Sequence, residues 1–508
     1  MLFSFEDMET SSNSNPLRRV LAIAELWGNI MLYLHPRQIR RLRLVCKSFY
    51  MACLSHVHIS LSLSTHTLSK LESDQQIPAE LVTILRVEVS DHVPAALENL
   101  LTRCSRLSSL HIDGLGLDIS FLEEALRLVP GRLRRLTIHS EGFVALEDII
   151  GVFLSSSSAS HIQALNLDVA ATGLDESHSL CWPRFRSILS QCSSLSSLSL
   201  GSVKITDIPE SLEEIDFLHS KTTAFPHITT LALRQCDITG PARIRLLSMF
   251  PNLQSLDLIC QDTLFELANN EQHTAELQNV KVSCTNVRSQ VDQAGLYRFL
   301  SHVPNLRALE ISGVGVRGQD LIQMAEEWTR LQVRLKFLKI DISLRKSTEG
   351  CLEQVLRQGC CSQLQVLDTC CGPDLILRFW NPRTLRSELP FLNTLQGLHL
   401  RKEQATEDVA EGALDVLNST LRQMPRLVDL TIGTKLSDVA VFHGLGRDAA
   451  APPASVAPPI GVTWAHERPF LQTLTMGCSH GLISNGLVGG LSRQVAWRFR
   501  FLEEFRLT

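Results

Sequence analysis

Residues 305–312 read NLRALEIS, residues 334–341 read RLKFLKID and residues 363–370 read QLQVLDTC. One pattern runs through all three. An apolar residue leads (Leu306, Leu335, Leu364), a second follows three positions later (Leu309, Leu338, Leu367), and a third position lies five after the lead (Ile311, Ile340, Thr369). Working outward, the triplet recurs fourteen times, led by Leu107, Leu133, Ile162, Leu195, Ile228, Leu253, Leu277, Leu306, Leu335, Leu364, Leu395, Leu427, Leu471 and Leu502. Of its 42 positions only Thr369 is not hydrophobic. Intervals between leads run from 24 to 44 residues with a mean near 30, and Ile84-Val87-Val89 reads as a degenerate first copy.

The spacing has a physical meaning. Residues three and five after the lead point the same way from a short strand, while the lead turns inward from the loop before it. About 30 residues leave room for one helix and two loops between strands. Leu321, Met324, Ala325, Trp328 and Leu331 fit one apolar helix face, with Asp320 placed to cap it. Leu296, Phe299, Leu300 and Val303 fit another. Each unit is strand, turn, helix and return, and cannot bury its apolar face alone, so neighbours must stack. The expected fold class is α/β, a solenoid with a curved parallel sheet spanning residues 81–508.

The array resembles the leucine-rich repeat in its long, cysteine-containing form. Cys104, Cys192 and Cys361 stand three residues before Leu107, Leu195 and Leu364, and Cys236 follows the strand pattern of 228–233. The resemblance covers about 400 residues and implies an irregular horseshoe. Residues 444–466, containing AAAPPASVAPP, account for the longest interval and read as a flexible insertion. No polar capping unit follows Leu507-Thr508, although terminal repeats normally need one.

Ahead of the repeats, residues 21–53 read LAIAELWGNIMLYLHPRQIRRLRLVCKSFYMAC. Leu26, Ile30 and Leu34 share one helix face, Pro36 suits the first turn of a second helix, and Ile39, Leu42, Cys46 and Phe49 give that helix an apolar stripe. Two helices this short need a partner or the solenoid to be stable. The segment is similar to an F-box: Ile23, Glu25, Leu26, Ile30, Leu34, Pro36, Ile39, Leu42, Val45-Cys46-Lys47 and Phe49 follow that family's pattern. Ala24 stands where the family has proline, and Phe49 where tryptophan is commoner.

The expected organisation is a disordered 1–15, a helical F-box-like module over 16–58, a join over 59–80, then the repeats. The resemblance implies that Ile23, Leu26, Ile30, Leu34, Pro36, Ile39, Leu42, Val45 and Phe49 bind the linker adaptor, and through it the cullin scaffold, of an SCF-type ubiquitin ligase. The repeats would then hold a protein substrate. A repeat scaffold with a degenerate F-box and no ligase role stays open.

Composition is consistent with both. Hydrophobic residues make up 44% of the 508 and charged residues 20%, with a net charge of −5. That balance is globular and calls for neither nucleic acid nor an anionic membrane. Between Pro16 and Ala52 seven basic residues face Glu25 alone, a solvated face or a means of steering toward the acidic adaptor. Glu6, Asp7 and Glu9 argue against a signal peptide, and no run approaches the roughly 18 apolar residues of a membrane helix. An intracellular location, cytoplasm or nucleus, is expected. There the fourteen cysteines stay reduced and the sequon at Asn418 is unused.

Catalytic and cofactor motifs are weak. Gly313-Val-Gly-Val-Arg-Gly318 has the layout of a dinucleotide loop, but it also falls in register with the repeat. The adjacent pairs Cys360-Cys361 and Cys370-Cys371 lack the C-x₂₋₄-C spacing of metal sites. Hence no enzyme activity, metal or cofactor is expected.

Partner binding is expected on the strand face, where residues two, four and six after each lead point away from the core. In the middle of the array this face carries Asp257, Lys281, Glu310, Lys339, Asp368 and His399 in one row, with Phe337 and Arg401 beside it. An aromatic among mixed charges suits a protein ligand, and ordinary solubility of an exposed sheet is the plain alternative.

Overall fold

The computed structural model describes residues 59–63, 79, 82–89, 95–141 (less 115–116, 118, 130 and 132), 146–170, 179–206, 225–238, 249–260, 276–284, 293–312, 318–341, 346–370, 389–401, 424, 426–432, 473–476 and 504–507. The chain divides into two units, Met1–Leu195 and Ser196–Thr508.

In the first unit five parallel strands pair in chain order: β1 (Ile59–Leu63), β2 (Val82–Val89), β3 (Ser109–Gly114), β4 (Arg135–Glu141) and β5 (Ala164–Ala170). Helices α1 (Ala95–Arg103), α2 (Ile119–Leu128) and α3 (Leu146–Ser155) occupy the intervals between β2 and β5, and α4 (Trp182–Gln191) follows. In the second unit eleven parallel strands do the same. They are β6 (Ser197–Gly201), β7 (Thr230–Arg234), β8 (Ser255–Cys260), β9 (Asn279–Cys284), β10 (Ala308–Ser312), β11 (Phe337–Asp341), β12 (Val366–Cys370), β13 (Gly397–Arg401), β14 (Asp429–Ile432), β15 (Thr473–Met476) and β16 (Glu504–Leu507). Helices α5 (Gln293–Ser301), α6 (Gly318–Arg330) and α7 (Lys346–Arg357) join β9 to β12. In each unit the strands form an open ladder, the solenoid arrangement that the repeat spacing dictates.

The triplet positions form the core. Leu306, Leu309 and Ile311 are buried, as are Leu335, Leu338 and Ile340, and every described lead residue from Leu107 to Leu427 is at most 3% exposed. Each buried leucine contributes roughly 1.5–3 kcal/mol. Leads precede their strands by two residues, in the turn where the chain enters the sheet.

That turn is held by two recurring backbone devices. The lead N–H of Leu107, Leu195 and Leu364 donates to the carbonyl of Cys104, Cys192 and Cys361, at 3.1, 2.9 and 3.0 Å. The residue after each lead then offers one carbonyl to two N–H groups of the next unit. Lys336 and Phe337 donate to Arg307, Gln365 and Val366 to Lys336, and Gln396 and Gly397 to Gln365. Both lone pairs of that carbonyl are so satisfied at each step, which locks register between neighbours.

The position three before the lead is a general apolar slot rather than a cysteine site. Cys104, Cys192 and Cys361 fill it, but so do Phe250, Val303 and Met424, all buried. Burial alone pushes the Cys192 thiol up to about 12, so it is a protonated core side chain. Between helices, the buried Trp328 indole N–H donates to the Leu300 carbonyl at 2.8 Å, satisfying one of the last carbonyls of α5. Asp320 lies in the first turn of α6, not at its cap, where it complements the helix dipole. The α6 C-terminus closes on Gln332, held at φ 59°, with Val333 N–H donating to the Trp328 carbonyl.

Two expectations change. Leu85 pairs with Leu110 and Val87 with Ile112, and Ser108 N–H donates to the Thr83 carbonyl. The first copy is therefore Val82-Leu85-Val87, not Ile84-Val87-Val89. The near-continuous apolar run of β2 fits both readings, and only the hydrogen bonds choose. In addition β1, with Leu61 opposite Leu85 and Leu63 opposite Val87, extends the ladder into the stretch expected to be a join. The expected helical module (16–58), disordered start (1–15) and insertion (444–466) lie outside the described residues.

Candidate functional site

Strand geometry alone creates a continuous polar row in the second unit. Asp257 sits opposite Lys281, Lys281 opposite Glu310, Glu310 opposite Lys339, Lys339 opposite Asp368 and Asp368 opposite His399. Parallel strands lie about 4.8 Å apart, so opposite charges on successive strands meet side by side.

They do meet. Glu310 Oε1 accepts from Lys339 Nζ at 2.6 Å and lies 3.4 Å from Lys281 Nζ. Arg234 Nη2 is 3.4 Å from Asp257 Oδ2. His399 Nδ1 is 3.0 Å from Thr431 Oγ1, and its Nε2 lies 3.7 Å from Asp429 Oδ2. Burial pushes the Glu310 carboxyl up, but hydrogen bonds and charge from Lys339 and Lys281 outweigh it and hold the group below its ordinary value. Within the network, Arg234, Lys281 and Lys339 match Asp257, Glu310 and Asp368 in number.

The row differs from the expected one in exposure. Asp368 points to the strand face by register, yet it is only 6% exposed, so it is not the open residue the sequence suggested. Lys281 is the most open of the lysine–glutamate group at 40%, against 19% for Lys339 and 18% for Glu310. Phe337 is half-buried beside the row, opposite Ala308 and Val366, in an apolar strip that continues to Gly397. Arg401 ends β13 opposite Cys370, away from the row, and its side chain lies outside the described residues.

Arg234 and Asp429 belong to the network although the sequence reading did not single them out. Arg234 sits six after its lead rather than four, and Asp429 two after. Their signal was parity: both occupy even positions, which face the same side. The adaptor-binding residues Ile23, Leu26, Ile30, Leu34, Pro36, Ile39, Leu42, Val45 and Phe49 lie outside the described residues.

The strand before Gly313 and the strand after Gly318 are β10 and β11, neighbours in the ladder, and Gly318 opens the repeat helix α6 between them. Cys360 and Cys361 are buried. Among the described residues no group of three or more His, Cys, Asp or Glu side chains is placed to hold a metal, and no helix is long and apolar enough to cross a membrane.

Residues 24–59 match the F-box domain family. No curated protein matches the chain. Among solved structures, a leucine-rich repeat-containing protein of Legionella pneumophila, LegL7, is similar at 12% identity with a TM-score of 0.35, over 72% of this chain and 97% of that one. TLR13, in its complex with ssRNA13, is similar at 16% identity and the same TM-score, over 78% of this chain and 43% of that one. The F-box match ends at Ile59, the residue that opens β1, and the ladder runs on from there. Residues 24–59 thus match an F-box domain, and stacked strand-and-helix units follow it.

Proposed function

We propose that the chain is the substrate-recognition subunit of an SCF-type ubiquitin ligase. The F-box match at 24–59, placed directly ahead of the repeat ladder, carries this reading. The apolar stripe of Ile23, Leu26, Ile30, Leu34, Pro36, Ile39, Leu42, Val45 and Phe49 docks on the linker adaptor and so on the cullin scaffold. The strand face holds a protein for ubiquitylation, and transfer chemistry belongs to other subunits. That role places the protein inside the cell, in cytoplasm, nucleus or both.

On the second unit's face, Phe337 is the anchor we favour, with Asp257, Lys281, Glu310, Lys339, Asp368, His399 and Arg401 around it. Because neighbouring charges there neutralise one another, affinity would come from the aromatic ring and from hydrogen bonds, and charge would set register. Phe337→Ala removes the anchor without breaking an ion pair, whereas reversing Lys281 and Lys339 would crowd carboxylates around Glu310.

Pull-down with purified linker adaptor tests the ligase reading. Wild type is expected to retain the adaptor, and Leu26→Asp/Ile30→Asp to lose it. Failure of the wild type to bind would instead favour a repeat scaffold without a ligase role.

A further inference from the structure

The paired N–H groups that bond the residue after each lead set out a second row in the second unit, along the edge where the strands begin. In six successive repeats that residue is Gln254, Gln278, Arg307, Lys336, Gln365 and Gln396. Each carbonyl accepts two N–H groups of the next repeat at 2.7–3.1 Å, which fixes the six backbones about one strand spacing, ~4.8 Å, apart. All six side chains are long and polar, two cations at the centre with two glutamines on either side. Arg334, just before the lead Leu335, adds a third cation, and Arg307, Arg334 and Lys336 are all exposed.

The strand face of the same unit spends its lysines on Glu310, and Arg330 and Arg357, in the last turns of α6 and α7, pair with Glu327 and Glu353. The edge row is different. Among the described residues no ion pair reaches Arg307, Arg334 or Lys336. The carboxylate that flanks a described lead of this unit, Glu276, stands one repeat before Arg307. Like charges held one strand apart without a counter-charge favour an incoming anion. The neighbours say which kind. Glutamine amides both donate and accept, so they can meet the N–H and C=O groups of a peptide backbone, and an arginine fork takes a carboxylate through two parallel bonds. The row has no aromatic ring on which a nucleic-acid base could stack.

We propose that this edge is a second docking surface, separate from the strand face, and that it takes an extended segment of a partner protein rich in aspartate and glutamate. Arg307, Arg334 and Lys336 meet the carboxylates, and the flanking glutamines hold the backbone on either side. The inference rests neither on adaptor binding nor on the strand face as a partner surface.

The test uses the full chain and a labelled peptide of aspartate, glutamate and glycine, with its asparagine and glutamine twin and a single-stranded RNA of equal charge as comparisons, read by fluorescence anisotropy. The acidic peptide should bind at least about tenfold more tightly than the twin, and its affinity should fall steeply between about 0.05 and 0.5 M salt. Arg307→Gln/Arg334→Gln/Lys336→Gln should abolish the preference. Arg86→Gln/Arg127→Gln/Arg135→Gln, which takes the same number of exposed cations from the first unit, should keep it, as should Phe337→Ala on the strand face. Equal binding of peptide and twin, equal loss in the two triple variants, or tighter binding of the RNA would overturn the proposal. Adaptor binding and thermal unfolding measured on every variant separate a failure here from misfolding and from failure of the ligase reading.

Discussion

The strand faces of the two units are built on the same backbone and do opposite things with charge. In the second unit Lys281, Glu310 and Lys339 sit opposite one another and pair, and Arg234 reaches Asp257. In the first, Arg86 and Arg135 flank a neutral His111. The ladder fixes only where a side chain stands. Whether neighbours neutralise or reinforce one another depends on which residues occupy the row, and that decides whether the face is self-satisfied or keeps like charges side by side.

The largest effect should come from breaking the scaffold beneath the second face without touching the face. Trp328→Ala removes a fully buried ring and the shorter of two hydrogen bonds to the Leu300 carbonyl, leaving only the Val303 N–H at 3.3 Å. It should cost about 3–5 kcal/mol in denaturant unfolding. Adaptor binding should be unchanged under conditions where the variant stays folded.

The comparison itself is sharpened at Glu310. Glu310→Gln removes the carboxylate that stands between Lys281 and Lys339 and pairs with both, and should destabilise by about 1–2 kcal/mol. Arg86→Gln or Arg135→Gln, which breaks no ion pair among the described residues, should stay within about 0.5 kcal/mol of wild type. The sign of the pH effect follows. Glu310 titrates below its ordinary value in the folded chain, so its contribution is present above about pH 4.5. It is lost as pH falls through the folded pKa, and the glutamine variant should lack that part of the acid transition in a pH-dependent melt.

A smaller and opposite effect is expected at Thr369. It fills the one triplet position without a hydrophobic residue, it is 3% exposed, and among the described residues its hydroxyl has no hydrogen-bond partner. Thr369→Val keeps the shape and removes an unsatisfied group, and should stabilise by about 1 kcal/mol in the same unfolding assay.

How much of this was legible in the sequence differs between elements. The ladder was, because the apolar triplet repeats often enough that single exceptions such as Thr369 do not hide it. Facing charges followed from parity, since Lys281, Glu310 and Lys339 all stand four after a lead. Register at β2 was not legible. Val82, Leu85 and Val87 satisfy the triplet as well as Ile84, Val87 and Val89 do, and the choice rests on backbone hydrogen bonds to β3 that leave no mark on residue type. The burial of Asp368 was also hidden, because exposure depends on neighbours from adjoining strands. The slot before each lead was read too narrowly as cysteine, when its requirement is apolar volume, which Phe250 and Met424 meet as well.

In the proposed function the F-box segment binds the adaptor and the repeat array binds a partner, each independently of the other. Sedimentation of the full chain with purified linker adaptor tests that division most directly. A one-to-one complex should form with wild type and with Arg86→Gln/Arg135→Gln alike, and should be absent with Leu26→Asp/Ile30→Asp. No complex with the wild-type chain, or one that persists in the Leu26/Ile30 variant, would contradict it.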